Sequence, residues 1–339
     1  MLQVEAALLH MSWEDVLFPK WGSDAFYNVV IVAIGYVRSI AEVWAFMPVY
    51  PTLVRLVLVP WFGFGRVKTI ADFAWLAAVV VSFLLSTLAI PLFQMIAEDT
   101  MNRIEAMNCT LLMFFFPETL VFSFLGISQA LFLLLELTVW TLIRRKMYAG
   151  SMVSACILSL TDVYGFAVSA MLAAVIIRLR KPKMFLYPLL PVIAFVSWLL
   201  YVNQTSGDWT NIFAPGPRIV DFFFPLIGLQ PLTLEPDQAY FFPLISSYLI
   251  ALVAIFGYLA IRSYTINPEM GTFAIAMVVA SVILAPAVSL VRFLPLIFPI
   301  WFNLRIKNTF ATVVMVFLMF LMSLVVWAGF ISGALWGVL

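Results

Sequence analysis

Long stretches of almost unbroken apolar sequence recur along the chain: Ala71 to Met95, Thr119 to Ile143, Phe185 to Val202, Tyr240 to Ile261, Thr272 to Leu290 and Phe310 to Gly333. None shows the two-residue alternation of a half-buried strand. Only helices and closed barrels satisfy their own backbone hydrogen bonds in lipid, and barrel strands would alternate. Helical crossings take roughly 20 apolar residues each, so the pattern predicts an all-α polytopic membrane protein of about eight crossings. The whole of 1–339 reads as a single membrane-embedded domain.

One stretch breaks the zigzag. Met147 to Ile177 is one predominantly apolar stretch, yet basic clusters flank it on both sides: Arg144, Arg145 and Lys146 before it, and Arg178, Arg180, Lys181 and Lys183 after it. Clustered cations mark the cytoplasmic side of a membrane protein. With both ends on one side, the segment must enter and return, as a re-entrant helical hairpin. Its midpoint, Leu160 to Gly165, contains Thr161, Asp162 and Gly165, where a turn would fall. An acid at that depth is a functional candidate, or else it caps the second half-helix. The same rule assigns Arg66 and Lys68, and Arg305 and Lys307, to the cytoplasm. The loops 1–50 and 203–237 lean acidic and are expected on the outer face. The second is long for a connection with no fold of its own, which favours a binding role.

Composition removes the soluble alternatives. Hydrophobic residues make up 65% of the chain and charged ones 10%, against about 25% charged in an ordinary soluble domain. The net charge of +1 gives no field for nucleic acid. The first sixteen residues have no basic n-region and no sustained apolar core, so they do not read as a signal peptide. A single histidine and two cysteines in apolar surroundings offer no ligand set for a metal, and no phosphate-binding glycine motif occurs.

Four stretches together resemble the PIG-V-like mannosyltransferases, of the membrane-embedded GT-C class of glycosyltransferases. The first runs from Trp21 to Tyr27, through Gly35 and Tyr36, and on from Trp44 to Leu56 with its Pro48-Val-Tyr50-Pro51 core. The second joins Phe116 and Pro117 to Leu131–Leu135, Arg144, Arg145, Leu160 and Thr161. The third runs from Tyr201 through Gly207, Asp208 and Trp209 to Phe213, and the fourth from Ser289 through Arg292 to Pro299. Departures accompany the likeness. Gly22 stands where the family has an aspartate after its tryptophan, Ile127 and Gln129 replace a tyrosine and a glutamate, and Asp162 replaces an arginine.

The resemblance implies transfer of a hexose, mannose by family, from a polyprenyl- or dolichyl-phosphate donor to a lipid-linked or glycolipid acceptor on the non-cytoplasmic face. That chemistry needs no cofactor beyond the donor substrate. It needs a carboxylate to take the proton of the acceptor hydroxyl, and a cation to hold the departing phosphate. Counting back from Gly35-Tyr36 makes Asp24 the candidate base, with Glu42 as a second carboxylate. Arg292 is the candidate phosphate ligand, because a guanidinium is always charged and forked. Trp21, Tyr27, Tyr50, Asp162 and Asp208 are expected to line the substrate site. The departures leave a catalytically inactive scaffold as one alternative and a lipid-linked-sugar transporter as another. The expected location is the plasma membrane of a prokaryote or the endoplasmic reticulum membrane of a eukaryote.

Overall fold

The structure is a computed structural model that describes residues 24–36, 41–62, 67–212, 242–284 and 293–331. Helices and turns account for these residues, with no strand among them. In chain order they are α1 (Asp24–Ile34), α2 (Val49–Phe62), α3 (Val67–Glu98), α4 (Arg103–Phe114), α5 (Pro117–Phe124), α6 (Gln129–Arg144) and α7 (Tyr148–Ser159). There follow α8 (Val168–Leu179), α9 (Leu186–Ser206), α10 (Phe242–Ile266), α11 (Pro268–Leu284), the single turn α12 (Phe298–Trp301) and α13 (Thr309–Ile331). Among the described residues two helices, Phe73–Glu98 and Pro182–Ser206, are long and apolar enough to cross a membrane. Their outward faces are apolar as well, with Leu76, Val80, Leu84 and Leu88 exposed on α3.

Short polar signals set the helix ends. Asn102 Oδ1 accepts the Glu105 amide at 2.9 Å and opens α4, and Asn267 Oδ1 accepts the amides of Glu269 and Met270 to open α11. Pro117 and Pro268 stand at first helical positions, where a missing N–H costs nothing.

Several helix ends share one end of the bundle. Arg144 at the end of α6 pairs with Asp99 just past α3 (3.2 Å). Arg178 in the last turn of α8 pairs with the buried Glu269 at the start of α11 (2.7 Å). Asn108 on α4 donates to the Ile306 carbonyl (2.8 Å), which brings Arg305 and Lys307 to the same end. This end is basic.

The segment from Met147 to Ile177 does turn back on itself. Helices α7 and α8 have 12 residues each, about 18 Å, too short to cross a hydrocarbon layer of about 30 Å. Their outer ends meet, with Lys181 Nζ 5.7 Å from the centre of the Tyr148 ring. Their inner ends meet at Gly165, where a Cβ would collide with the Leu158 carbonyl. Leu160 O at the tip accepts the Val49 amide (3.2 Å), which ties the hairpin to the start of α2.

Two expectations need correction. The run Thr119 to Ile143 is not one helix. It breaks into α5 and α6 at Gly126, which has φ +69° and packs against the backbone of α3 at Ala78 and Val79. A side chain there would meet α3 within 3.0 Å, so the break follows from close approach, which hydropathy does not register. Second, Lys68 does not share an end with Arg144. Helix α3 runs unbroken for 32 residues, about 48 Å. Its last turn is at the basic end and Lys68 is in its first. Arg66 lies outside the described residues.

Gly165→Ala should therefore destabilise the fold by at least about 1–3 kcal/mol, the usual cost of overpacking. Gly257, mid-helix in α10, has nothing within 4 Å of an added Cβ. Gly257→Ala should be neutral or stabilise by up to about 1 kcal/mol. Thermal midpoints of the two variants in one detergent check the contrast, and equal midpoints would contradict the hairpin packing.

Candidate functional site

The end opposite the basic face gathers most of the residues the sequence singles out. Helix α9 sets the scale. It starts three residues after Lys183 and ends at Ser206, 21 residues on, about 31 Å. Gly207, with φ +85°, stops it. A 3-10 turn, Trp209–Ile212, follows and packs against a second one, Ala41–Ala45, which contains Glu42.

Asp24 opens α1, and one turn later Tyr27 stacks on Phe46 just after the Glu42 turn, with centroids 5.7 Å apart. The first turn of α1, the Glu42 turn and the Asp208 turn are thus neighbours. The side chains of Asp24 and Glu42 lie outside those described, as do Trp21 and Arg292 entirely.

An aromatic group floors this end. Tyr36 stacks on Trp44 (5.2 Å) and meets Trp198 edge-on (5.1 Å); Trp198 stacks on Tyr201 (5.2 Å). Trp44 is fully buried and Tyr201 is 47% exposed, so the group runs from core to surface. Tyr36 Oη donates to Phe46 O (2.8 Å), which fixes the chain leaving α1 against the Glu42 turn. Tyr36, Trp44, Trp198 and Tyr201 are not among the site residues expected from the sequence. Clustered aromatics near the ends of apolar runs are the signal that could have found them.

Asp162 is half-buried at the tip of the α7–α8 hairpin. Its Oδ1 accepts the Tyr164 amide (3.4 Å), and its Oδ2 accepts the Ser128 hydroxyl (3.3 Å) from the turn before α6. The first bond closes a local turn and does not cap the second half-helix, because α8 opens at Ala167 without a side-chain cap; the second bond cross-links two turns. Along α6, Ser128 lies about 24 Å from the basic end. Tyr164 beside it packs edge-on against Phe293 (4.3 Å). Asp162 therefore sits nearer the aromatic end than mid-bundle.

Asp208 is exposed and holds the Thr210 amide at 2.8 Å. Hydrogen bonds from the Thr210 side chain and backbone keep its carboxyl below the usual aspartate range. It is charged, accessible and anchored.

Tyr50 is not at a surface. It is fully buried between α2 and α3. Its Oη donates to Ala78 O (2.9 Å) and lies 2.8 Å from Ser82 Oγ, which donates to Ile127 O (3.0 Å). This chain of bonds clamps α2, α3 and the Gly126 break together and leaves no ring face for a substrate. Glu136, fully buried in α6, is likewise absent from the residues expected at the site. Its carboxyl faces the Phe298 backbone without a well-formed hydrogen bond. An acid inside an apolar run was the available signal.

Among the described residues no group of three His, Cys, Asp or Glu side chains could hold a metal ion. Comparison of the chain with protein-family models, with curated proteins and with solved structures finds no match.

Tyr50→Phe preserves the ring and removes the clamp. It should lower stability by about 1–2 kcal/mol, read as the thermal midpoint in detergent. A midpoint equal to wild type would contradict the clamp.

Proposed function

We propose that this chain is a multi-pass membrane glycosyltransferase of the PIG-V-like kind, with a GT-C-type bundle of about eight crossings and α7–α8 re-entering from the cytoplasmic side. It transfers a hexose, mannose by the family resemblance, from a polyprenyl- or dolichyl-phosphate donor to a glycolipid acceptor. One observation supports this reading above the others. The segments carrying Asp24, Glu42 and Asp208 pack together on an aromatic floor, one α9 length from a basic face. That length matches a bilayer's hydrocarbon thickness of about 30 Å. The carboxylates would then lie at the outer headgroup level, where a prenyl phosphate presents its sugar.

In the mechanism the resemblance implies, one carboxylate, Asp24 for preference, takes the proton of the acceptor hydroxyl as that oxygen attacks the anomeric carbon. The bond from sugar to phosphate breaks on the opposite face, inverting the centre. Arg292 is proposed to hold the phosphate as its charge grows. Tyr201, the exposed end of the aromatic floor, would offer a ring face to the sugar. The tie from Asp162 to Ser128 holds the hairpin tip beneath that floor.

Two experiments test separate parts of the reading. For topology, single cysteines replace Lys146, Lys183 or Lys68 in a chain lacking Cys109 and Cys156. A membrane-impermeant thiol reagent should reach positions 146 and 183 from one side and position 68 from the other. Labelling of 146 and 183 from opposite sides rules out re-entry.

For chemistry, Asp24→Asn keeps size and removes the base. Loss of general-base help costs about 10²–10⁴-fold in rate, so transfer from polyprenyl-phosphate mannose to a glycolipid panel should fall by that factor with donor binding intact. Near-wild-type turnover would shift the role to Glu42. A wild type inert with every donor would favour the inactive scaffold that Gly22 and Gln129 suggest.

A further inference from the structure

Helices that end in a left-handed residue usually place glycine there, because a Cβ is strained in that conformation. At three turns this chain complies: Gly35, Gly126 and Gly207 all have positive φ. At the basic end it does not. Lys146 (φ 59°) closes α6 and Arg180 (φ 52°) closes α8, and they are the positive-φ residues other than glycine among those described. Both complete the paired bonds of a Schellman turn. The Lys146 and Met147 amides donate to Ile143 O and Leu142 O, and the Arg180 and Lys181 amides to Ile177 O and Ile176 O. Glycine would serve each turn with less strain. The chain instead spends strain to set a cation at each side of the hairpin mouth.

Around that mouth Arg145, Lys146, Arg178, Arg180, Lys181 and Lys183 are all exposed. Among them Arg178 has a carboxylate partner, the buried Glu269. Lys181 is held over the Tyr148 ring instead. Interleaved with the cations are apolar side chains, Met147, Ile177, Phe185 and Leu186, each more than half exposed. A site for a soluble anion has no use for these. A lipid needs both, with cations at its phosphate and apolar surface beside its acyl chains.

We propose that the mouth of the α7–α8 hairpin binds the headgroups of anionic phospholipids in the leaflet at the basic end. The proposal rests on the membrane reading above and is independent of the transferase chemistry. Lipid held there bridges the turn that enters the hairpin and the turn that leaves it, and so braces the element whose far tip carries Asp162.

The test uses the full chain extracted in detergent. Recovery in the soluble fraction without detergent would retire the membrane reading itself, whereas the lipid site is judged on extracted protein alone. Phosphatidylglycerol, phosphatidylcholine with the same acyl chains, and inorganic phosphate are titrated in separate arms. Lipid retention is read by native mass spectrometry and stability by thermal midpoint. Wild type should retain phosphatidylglycerol preferentially and gain stability from it, with no gain from inorganic phosphate.

The double variant Lys146→Gly, Arg180→Gly removes two charges and relieves both turns. Without lipid its midpoint should match or exceed wild type. Each cation near an anionic surface is worth roughly a fivefold factor, so its phosphatidylglycerol affinity should fall on the order of 30-fold. Its phosphatidylcholine affinity should not change. A second pair, Arg145→Gln with Lys183→Gln, leaves both left-handed turns alone and should show a comparable loss. The proposal is overturned if wild type holds both lipids equally, if inorganic phosphate alone reproduces the stabilisation, or if either double variant retains phosphatidylglycerol as wild type does.

Discussion

The contact on which most else hangs is the close approach of Gly165 to the Leu158 carbonyl. It lets two 12-residue helices meet tip to tip inside the bundle instead of crossing it. Once the tip is closed, four distant parts of the chain converge on it. Val49 donates to Leu160, Ser128 reaches Asp162, Phe293 packs on Tyr164, and Phe195, Trp198 and Val202 of α9 join Leu160, Val163 and Phe166 in one core. The aromatic floor of the candidate site is the outward continuation of that core. A bulkier residue at 165 would therefore disturb the floor as well as the hairpin.

The hairpin was legible because its signal is charge rather than hydropathy. Cations at both ends of one apolar stretch leave no other path, and a turn-forming Asp162 and Gly165 at the midpoint mark where it reverses. The same charge logic failed at Lys68. A two-residue basic cluster says little about sidedness when the adjacent helix, α3, extends well beyond the hydrocarbon thickness. The break at Gly126 was hidden for a different reason. Leu125, Gly126 and Ile127 read as apolar continuation, and only the backbone of α3 lying against Gly126 shows why a helix cannot pass. Tyr50 illustrates a third kind of miss. Its neighbours resemble a family motif, but resemblance does not distinguish a ring that touches substrate from one that clamps two helices. In the candidate site, the grouping of the Asp24, Glu42 and Asp208 segments was legible only as shared sidedness. Their contact depends on two 3-10 turns that no periodicity predicts.

The two ends of the bundle follow different rules of helix termination. At the aromatic end, glycines at 35 and 207 let the chain turn sharply and keep α1, the Glu42 turn and the Asp208 turn within reach of one another. At the basic end the same left-handed geometry is held by Lys146 and Arg180, so the turn residues there also carry charge. Helix α9 joins the two regimes, leaving the cation-rich end at Leu186 and stopping at Gly207.

Under the proposed function, that helix also bears on how a prenyl-phosphate donor would be held. Leu186, Leu189, Ile193, Val196 and Leu200 are exposed along α9, an apolar rail running its whole length and ending at the half-exposed rings of Tyr201 and Trp209. A prenyl chain lying on this rail would bring its phosphate to the level of the Asp208 turn, where the backbone stops being helical and polar groups appear. The anchored, charged Asp208 repels a phosphate that overshoots, whereas a sugar hydroxyl can donate to it. The donor's depth would then be set by the match between apolar rail and prenyl chain, and its orientation by one carboxylate that the phosphate avoids and the sugar seeks. Under the proposed function the lipid carrier itself would supply most of the binding surface, and α9 would act as the ruler.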